Sequence, residues 1–121
     1  MKIIVVENFE KMSEEVAKLV QEQIARKPDS VLGLATGSTP LGVYELLAKY
    51  HTQGTDFSQI TTFNLDEYVG LGPDHPQSYR HYMQENLFSK VNVDPSRTFI
   101  PNGITEDLEA ECQRYEELIK E

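Results

Sequence analysis

Two clusters of residues in this sequence have the types and spacing to do chemistry. One is the adjacent carboxylate pair Asp66 and Glu67, inside FNLDEYVGL, residues 63–71. The pair follows a β-rich run, and a carboxylate at a strand's carboxyl end can act as a general base when burial and neighbours hold its pKa near the working pH. The plainer alternative is that Asp66 caps a turn and Glu67 is solvated. The other cluster is Thr36-Gly37-Ser38-Thr39, inside VLGLATGSTPLGVYELL, residues 31–47. Gly37 lets an anion approach the backbone, Ser38 and Thr39 offer hydroxyl donors, Thr39 is placed to cap a helix, and Pro40 suits that helix's first turn. Free backbone amides at a helix N-terminus are a ready anion site, so a phosphate fits here. It is not a Walker A loop, because no Lys follows in the required place, nor a dinucleotide fingerprint, because Gly33 falls inside the strand. An ordinary capped strand-to-helix turn remains the alternative.

Short apolar runs alternate with longer amphipathic ones, and these must position both clusters. Lys2–Val6, Val31–Ala35, Ile60–Leu65 and Thr98–Ile100 have the character of strands. Helical spacing is expected over Phe9–Arg26 with Asn8 as N-cap, Pro40–His51, Gln77–Lys90, and from about Glu106 to the end. The expected inward residues are Met12, Val16, Leu19, Val20 and Ile24 on the first helix; Val43, Leu46, Leu47 and Tyr50 on the second; Tyr79, Tyr82, Met83 and Phe88 on the third; and Leu108, Cys112, Tyr115 and Ile119 on the fourth. Such alternation predicts an α/β fold, a three-layer Rossmann-like parallel sheet with helices on both faces, in one domain over residues 1–121. In such a sheet, ligands bind at the carboxyl ends of the strands. Thr36–Thr39 and Asp66 are therefore expected on one edge.

The 121 residues carry 11 Lys and Arg against 20 Asp and Glu, a net charge of -9, and the basic residues are scattered. This argues against a nucleic-acid surface but does not exclude an anionic small molecule, since local amides and a helix dipole act whatever the global charge. The single cysteine, Cys112, cannot form an intrachain disulfide and fits a reducing compartment, with the cytoplasm the default expectation; it is expected to be buried as a small hydrophobe. No apolar run approaches the ~20 residues of a membrane span, so no membrane partner is expected. His51, His75 and His81 lack partners at ligand spacing and are expected to be surface or packing residues, so no metal is expected.

ATGSTP, then TTFNLDEYVGL, HPQSY, IPNG and ECQRYE, in unbroken order along the chain, resemble the amino-terminal half of the glucosamine-6-phosphate deaminases. The related 6-phosphogluconolactonases typically have Asp-Glu-Arg where this sequence has Asp66-Glu67-Tyr68, which favours the deaminase. The resemblance implies conversion of glucosamine 6-phosphate and water to fructose 6-phosphate and ammonia. Asp66 would be the base that moves the C2 proton of the opened sugar to C1. Glu67 would be a supporting or hydrogen-bonding carboxylate, Thr36, Gly37, Ser38 and Thr39 would hold the sugar phosphate, and no cofactor is implied. It also implies a later half, carrying an Asp, a His, a Glu and phosphate-binding Arg and Lys, with no counterpart here. A fragment is therefore expected, weakly active alone, that self-associates or pairs with a complementary piece. A 6-phosphogluconolactonase-like hydrolase and a non-catalytic sugar-phosphate effector domain are the alternatives.

Overall fold

The computed structural model describes residues 3–120. Helix α1 (Phe9–Arg26) is followed by strand β1 (Val31–Leu34), helix α2 (Leu41–Thr52), strand β2 (Thr61–Asn64) and helix α3 (Tyr79–Asn86). Two short 3-10 turns, Phe88–Lys90 and Pro95–Arg97, lead to strand β3 (Thr98–Phe99) and helix α4 (Leu108–Lys120). The described strands form one sheet in the order β1-β2-β3, parallel throughout, with Leu34 opposite Asn64 and Phe63 opposite Phe99. A parallel register sends every chain out of its strand at the same end, so the loops after Leu34, Asn64 and Phe99 share one edge of the sheet.

Local chemistry accounts for the boundaries. The Asn8 side chain accepts from the Lys11 amide at 2.9 Å and starts α1, as its position predicts. Ser78 does the same for α3 through the His81 amide, so this helix begins after Ser78 rather than at Gln77. It also ends earlier than the expected Lys90, because Leu87 leaves helical geometry and the chain tightens into a 3-10 turn. Helix α2 begins at Leu41 with Pro40 in the cap position and no side-chain capping bond. Thr39 is therefore not the cap.

Leu32, Leu34, Thr62 and Asn64 share a face by register and alternation, and this face carries the core: Ala17 and Ile24 of α1, Val43, Tyr44 and Leu47 of α2, Met83 of α3, with Phe57, Ile60 and Leu87. The opposite face carries α4, whose Tyr115 ring meets Phe63 edge-on at 6.0 Å while Phe63 stacks on Phe99 at 5.0 Å. Helices thus lie on both faces, as the alternation predicts.

Four expectations need correction. Of the expected first strand, Lys2 lies outside the described residues, and the described part, 3–6, forms no strand, with Val5 90% exposed. Apolar β-branched residues make a strand only where an edge receives them. On α1 Ile24 is buried and Val20 packs against the core as expected, but Ser13 and Ala17 fill the rest of the buried stripe, and Val16 and Leu19 are exposed. Small side chains win there because α1 packs closely on α2. On α4 only Tyr115 is buried; Leu108 and Ile119 are exposed. Cys112 is exposed as well, because α4 touches the sheet along a single line through Tyr115.

Candidate active site

Three tyrosine hydroxyls, one from each of α2, α3 and α4, bind the backbone where the strands end. Tyr44 donates to the Ala35 carbonyl and accepts from the Ala35 amide, at the end of β1. Tyr82 donates to the Gly37 carbonyl at 2.6 Å. Tyr115 donates to the carbonyls of Asn64 at 2.5 Å and Phe99 at 2.8 Å, at the ends of β2 and β3. The Asn64 side-chain Nδ2 adds a cross-strand bond to the Leu34 carbonyl at 3.0 Å. Burial of these hydroxyls raises the pKa of Tyr44 and Tyr82, and pushes Tyr115 up to about 12, so all three are protonated donors at neutral pH. The edge is a rigid platform for its loops.

Gly37 has φ +94°, a conformation side chains rarely adopt, and a Cβ there would meet nothing within 4 Å. The turn is open to solvent on that side. Among the described residues, the amides of Gly37, Ser38 and Thr39 donate to no protein acceptor, and neither do the hydroxyls of Ser38 and Thr39. Thr36 and Gly37 line a cleft of about 400 Å³ with Tyr68, Ser78, Tyr79 and Tyr82. Ser38 and Thr39 are exposed just beyond its wall. Unpaired amides and hydroxyls at the entrance of α2 can hold a phosphate or sugar hydroxyls.

Asp66 and Glu67 part company. Asp66 is exposed, two residues past the end of β2 and on the same edge as Thr36. Glu67 turns the other way: its Oε1 accepts from the amides of Tyr68 and Tyr79, each at 2.8 Å, and its Oε2 from the Arg80 amide at 3.1 Å. A carboxylate on the first amides of a helix both caps it and offsets its dipole. Glu67 therefore fixes α3 to the loop that carries Asp66 and lines a smaller cavity of about 130 Å³ with Arg80, Asn102 and Gly103.

Contacts missing from any sequence spacing hold this loop in place. Gly103 is buried where a Cβ would come within 2.1 Å of the Tyr68 carbonyl oxygen, and its own carbonyl accepts from the Gly70 amide at 2.7 Å. The Arg80 guanidinium donates to Thr98 Oγ1 and to the Thr98 carbonyl, at 2.8 and 3.1 Å. Glu111 of α4 accepts from the Asn102 amide at 2.9 Å and pairs with Arg114, which holds its carboxyl below the usual range. HPQSY, NLDEYVGL, IPNG and ECQRYE are thus one connected set of contacts around the strand ends. His75 accepts from the Gln77 amide, His51 bonds the Thr55 carbonyl and His81 faces Glu85, so each has a local packing or surface partner. Among the described residues no three His, Cys, Asp or Glu side chains group as metal ligands.

The family model described as glucosamine-6-phosphate isomerases/6-phosphogluconolactonase matches residues 6–121. The chain belongs to this family. Among its members, the glucosamine-6-phosphate deaminase of Halothermothrix orenii is 56% identical over 99% of this chain and 50% of its own length. That of Geobacillus sp. is 54% identical over 99% of this chain and 48% of its own length. A solved monomeric glucosamine-6-phosphate deaminase superposes with a TM-score of 0.95 at 49% identity, covering 99% of this chain and 50% of that one. The 6-phosphogluconolactonase of Thermotoga maritima shares the fold, with a TM-score of 0.75 at 24% identity over 97% of this chain and 52% of that one. The chain spans about half the length of the curated family members it matches.

Proposed function

We propose that this chain carries the sugar-phosphate loop and the proton-transferring carboxylate of a glucosamine-6-phosphate deaminase. The observation that carries the reading is the parallel register of β1 and β2, which brings the open turn Thr36–Thr39 and the Asp66 carboxylate to one edge. In this reading the amides and hydroxyls of the turn hold the phosphate and hydroxyls of glucosamine 6-phosphate. Asp66 takes the proton from C2 of the ring-opened sugar and returns it to C1 through an enol-type intermediate. Addition of water and loss of ammonia leave fructose 6-phosphate, so the net reaction is a hydrolytic deamination. The exposed single thiol suits a reducing compartment such as the cytoplasm.

Asp66 stands in water here, whereas abstraction of a proton from carbon needs a site where developing charge is stabilised and water is excluded. The chain alone therefore binds the sugar phosphate better than it turns it over. The test is deuterium incorporation at C1 of fructose 6-phosphate in heavy water, which needs the base and the bound sugar but no release of ammonia. Slow incorporation that Asp66→Asn abolishes supports the reading; incorporation indifferent to that substitution counts against it. Hydrolysis of a 6-phosphogluconolactone is the second reading, favoured by the shared fold alone.

A further inference from the structure

Four tyrosines reach the strand-end edge from α2, α3 and α4, and three of them spend their hydroxyls on backbone carbonyls. The fourth does not. Tyr79 opens α3 one residue after its cap, with its amide held by Glu67 at 2.8 Å and its ring tilted against Tyr68 at 4.6 Å between centroids. The ring forms part of the wall of the cleft that contains Thr36 and Gly37. Its hydroxyl is spent on no backbone carbonyl; its partners are the side chains of Tyr68 and of Thr36, the latter in the turn itself. We propose that the Tyr79 hydroxyl is a binding group for the sugar phosphate, donating a hydrogen bond to a phosphate oxygen held at the Thr36–Thr39 turn.

The assignment rests on the reading of that turn as the sugar-phosphate loop. It adds a side-chain donor from a second element, α3, that lines the same cleft as Thr36 and Gly37. Neighbouring Tyr68, with burial and the Asp66 carboxylate, raises the Tyr79 pKa, so the phenol keeps its proton and serves as a donor at neutral pH. Two anchors position the ring in advance of binding: the backbone bond to Glu67 and the tilted contact with the Tyr68 ring. A donor positioned in advance loses little rotamer entropy when the ligand arrives.

Titration calorimetry with glucosamine 6-phosphate, with glucosamine and with inorganic phosphate separates the possibilities. Tyr79→Phe keeps the ring and its tilted contact with Tyr68 and removes only the hydroxyl. The expected result is binding of glucosamine 6-phosphate weakened about ten-fold, as for a lost hydrogen bond to a charged group, a parallel weakening for inorganic phosphate, no change for glucosamine, and an unchanged unfolding midpoint. Tyr79→His, which keeps a ring donor, should recover part of the loss. Equal affinity of the original chain and Tyr79→Phe for glucosamine 6-phosphate overturns the assignment while leaving the loop reading intact. Absence of binding to the original chain overturns both, and a loss shared equally by glucosamine shows that Tyr79 shapes the cleft instead of meeting the phosphate.

Discussion

The hydroxyl of Tyr115 stands 2.5 Å from the Asn64 carbonyl oxygen and 2.8 Å from that of Phe99, so one side chain of the last helix ties together the carboxyl ends of two parallel strands. Asn64 is the last residue of β2, and the loop beginning at Leu65 carries Asp66. The position of the proposed base is therefore set by a contact 51 residues away in sequence.

Removing that hydroxyl should loosen the strand ends. Tyr115→Phe is expected to cost about 1–2 kcal/mol, because two buried carbonyls lose their donor. Burial of the same hydroxyl sets an alkaline limit. With the pKa raised in the folded protein to about 12 from about 10, its contribution is fully present below pH ~10 and is lost as pH rises through ~12. Urea unfolding across pH 8–12 should show a steeper alkaline loss for the original chain than for Tyr115→Phe.

The two carboxylates should separate cleanly under mutation. Glu67→Ala strips the acceptor from three backbone amides and is expected to destabilise by about 1–3 kcal/mol, with faster hydrogen exchange at Tyr79 and Arg80. Asp66→Asn touches an exposed group and should change stability by less than about 0.5 kcal/mol. Equal losses in thermal unfolding would contradict the division between a positioning carboxylate and a reacting one.

Glycine substitutions should likewise divide. Gly37→Ala meets open space but must hold φ +94°, so a cost of about 1 kcal/mol is expected, with sugar-phosphate binding more affected than stability. Gly103→Ala places a methyl 2.1 Å from the Tyr68 carbonyl oxygen, so the loops must part and a cost of about 2–4 kcal/mol is expected. Denaturant midpoints for the two variants give the comparison.

Much of the architecture was legible because it is governed by local signals. Asn8 before an amphipathic run marked the start of α1, and the apolar runs beginning at Val31, Ile60 and Thr98 marked β1, β2 and β3. The strand-end rule then put Thr36–Thr39 and Asp66 together without any contact being known. What sequence could not show was where long side chains end. Tyr82 and Tyr115 sit at helical spacing and look like core anchors, and so they are in part, yet their hydroxyls bind the edge. A hydrogen-bonding role for Glu67 was legible beside Asp66, but not that its partners are the amides of a helix twelve and thirteen residues on. Ile3–Val6 and α4 misled for a related reason: apolar residues report that a surface is to be covered, not by which element, and Val5, Leu108 and Ile119 remain exposed.

Amide-resolved NMR titration of the chain with glucosamine 6-phosphate tests the central claim, that the β1–β2 edge is a sugar-phosphate site. The account predicts saturable shifts concentrated at Gly37, Ser38 and Thr39, reaching Asp66 and Tyr79, with far smaller responses to glucosamine lacking the phosphate. Shifts confined to another surface, or none at concentrations where the solved deaminase's substrate is in large excess, would contradict it.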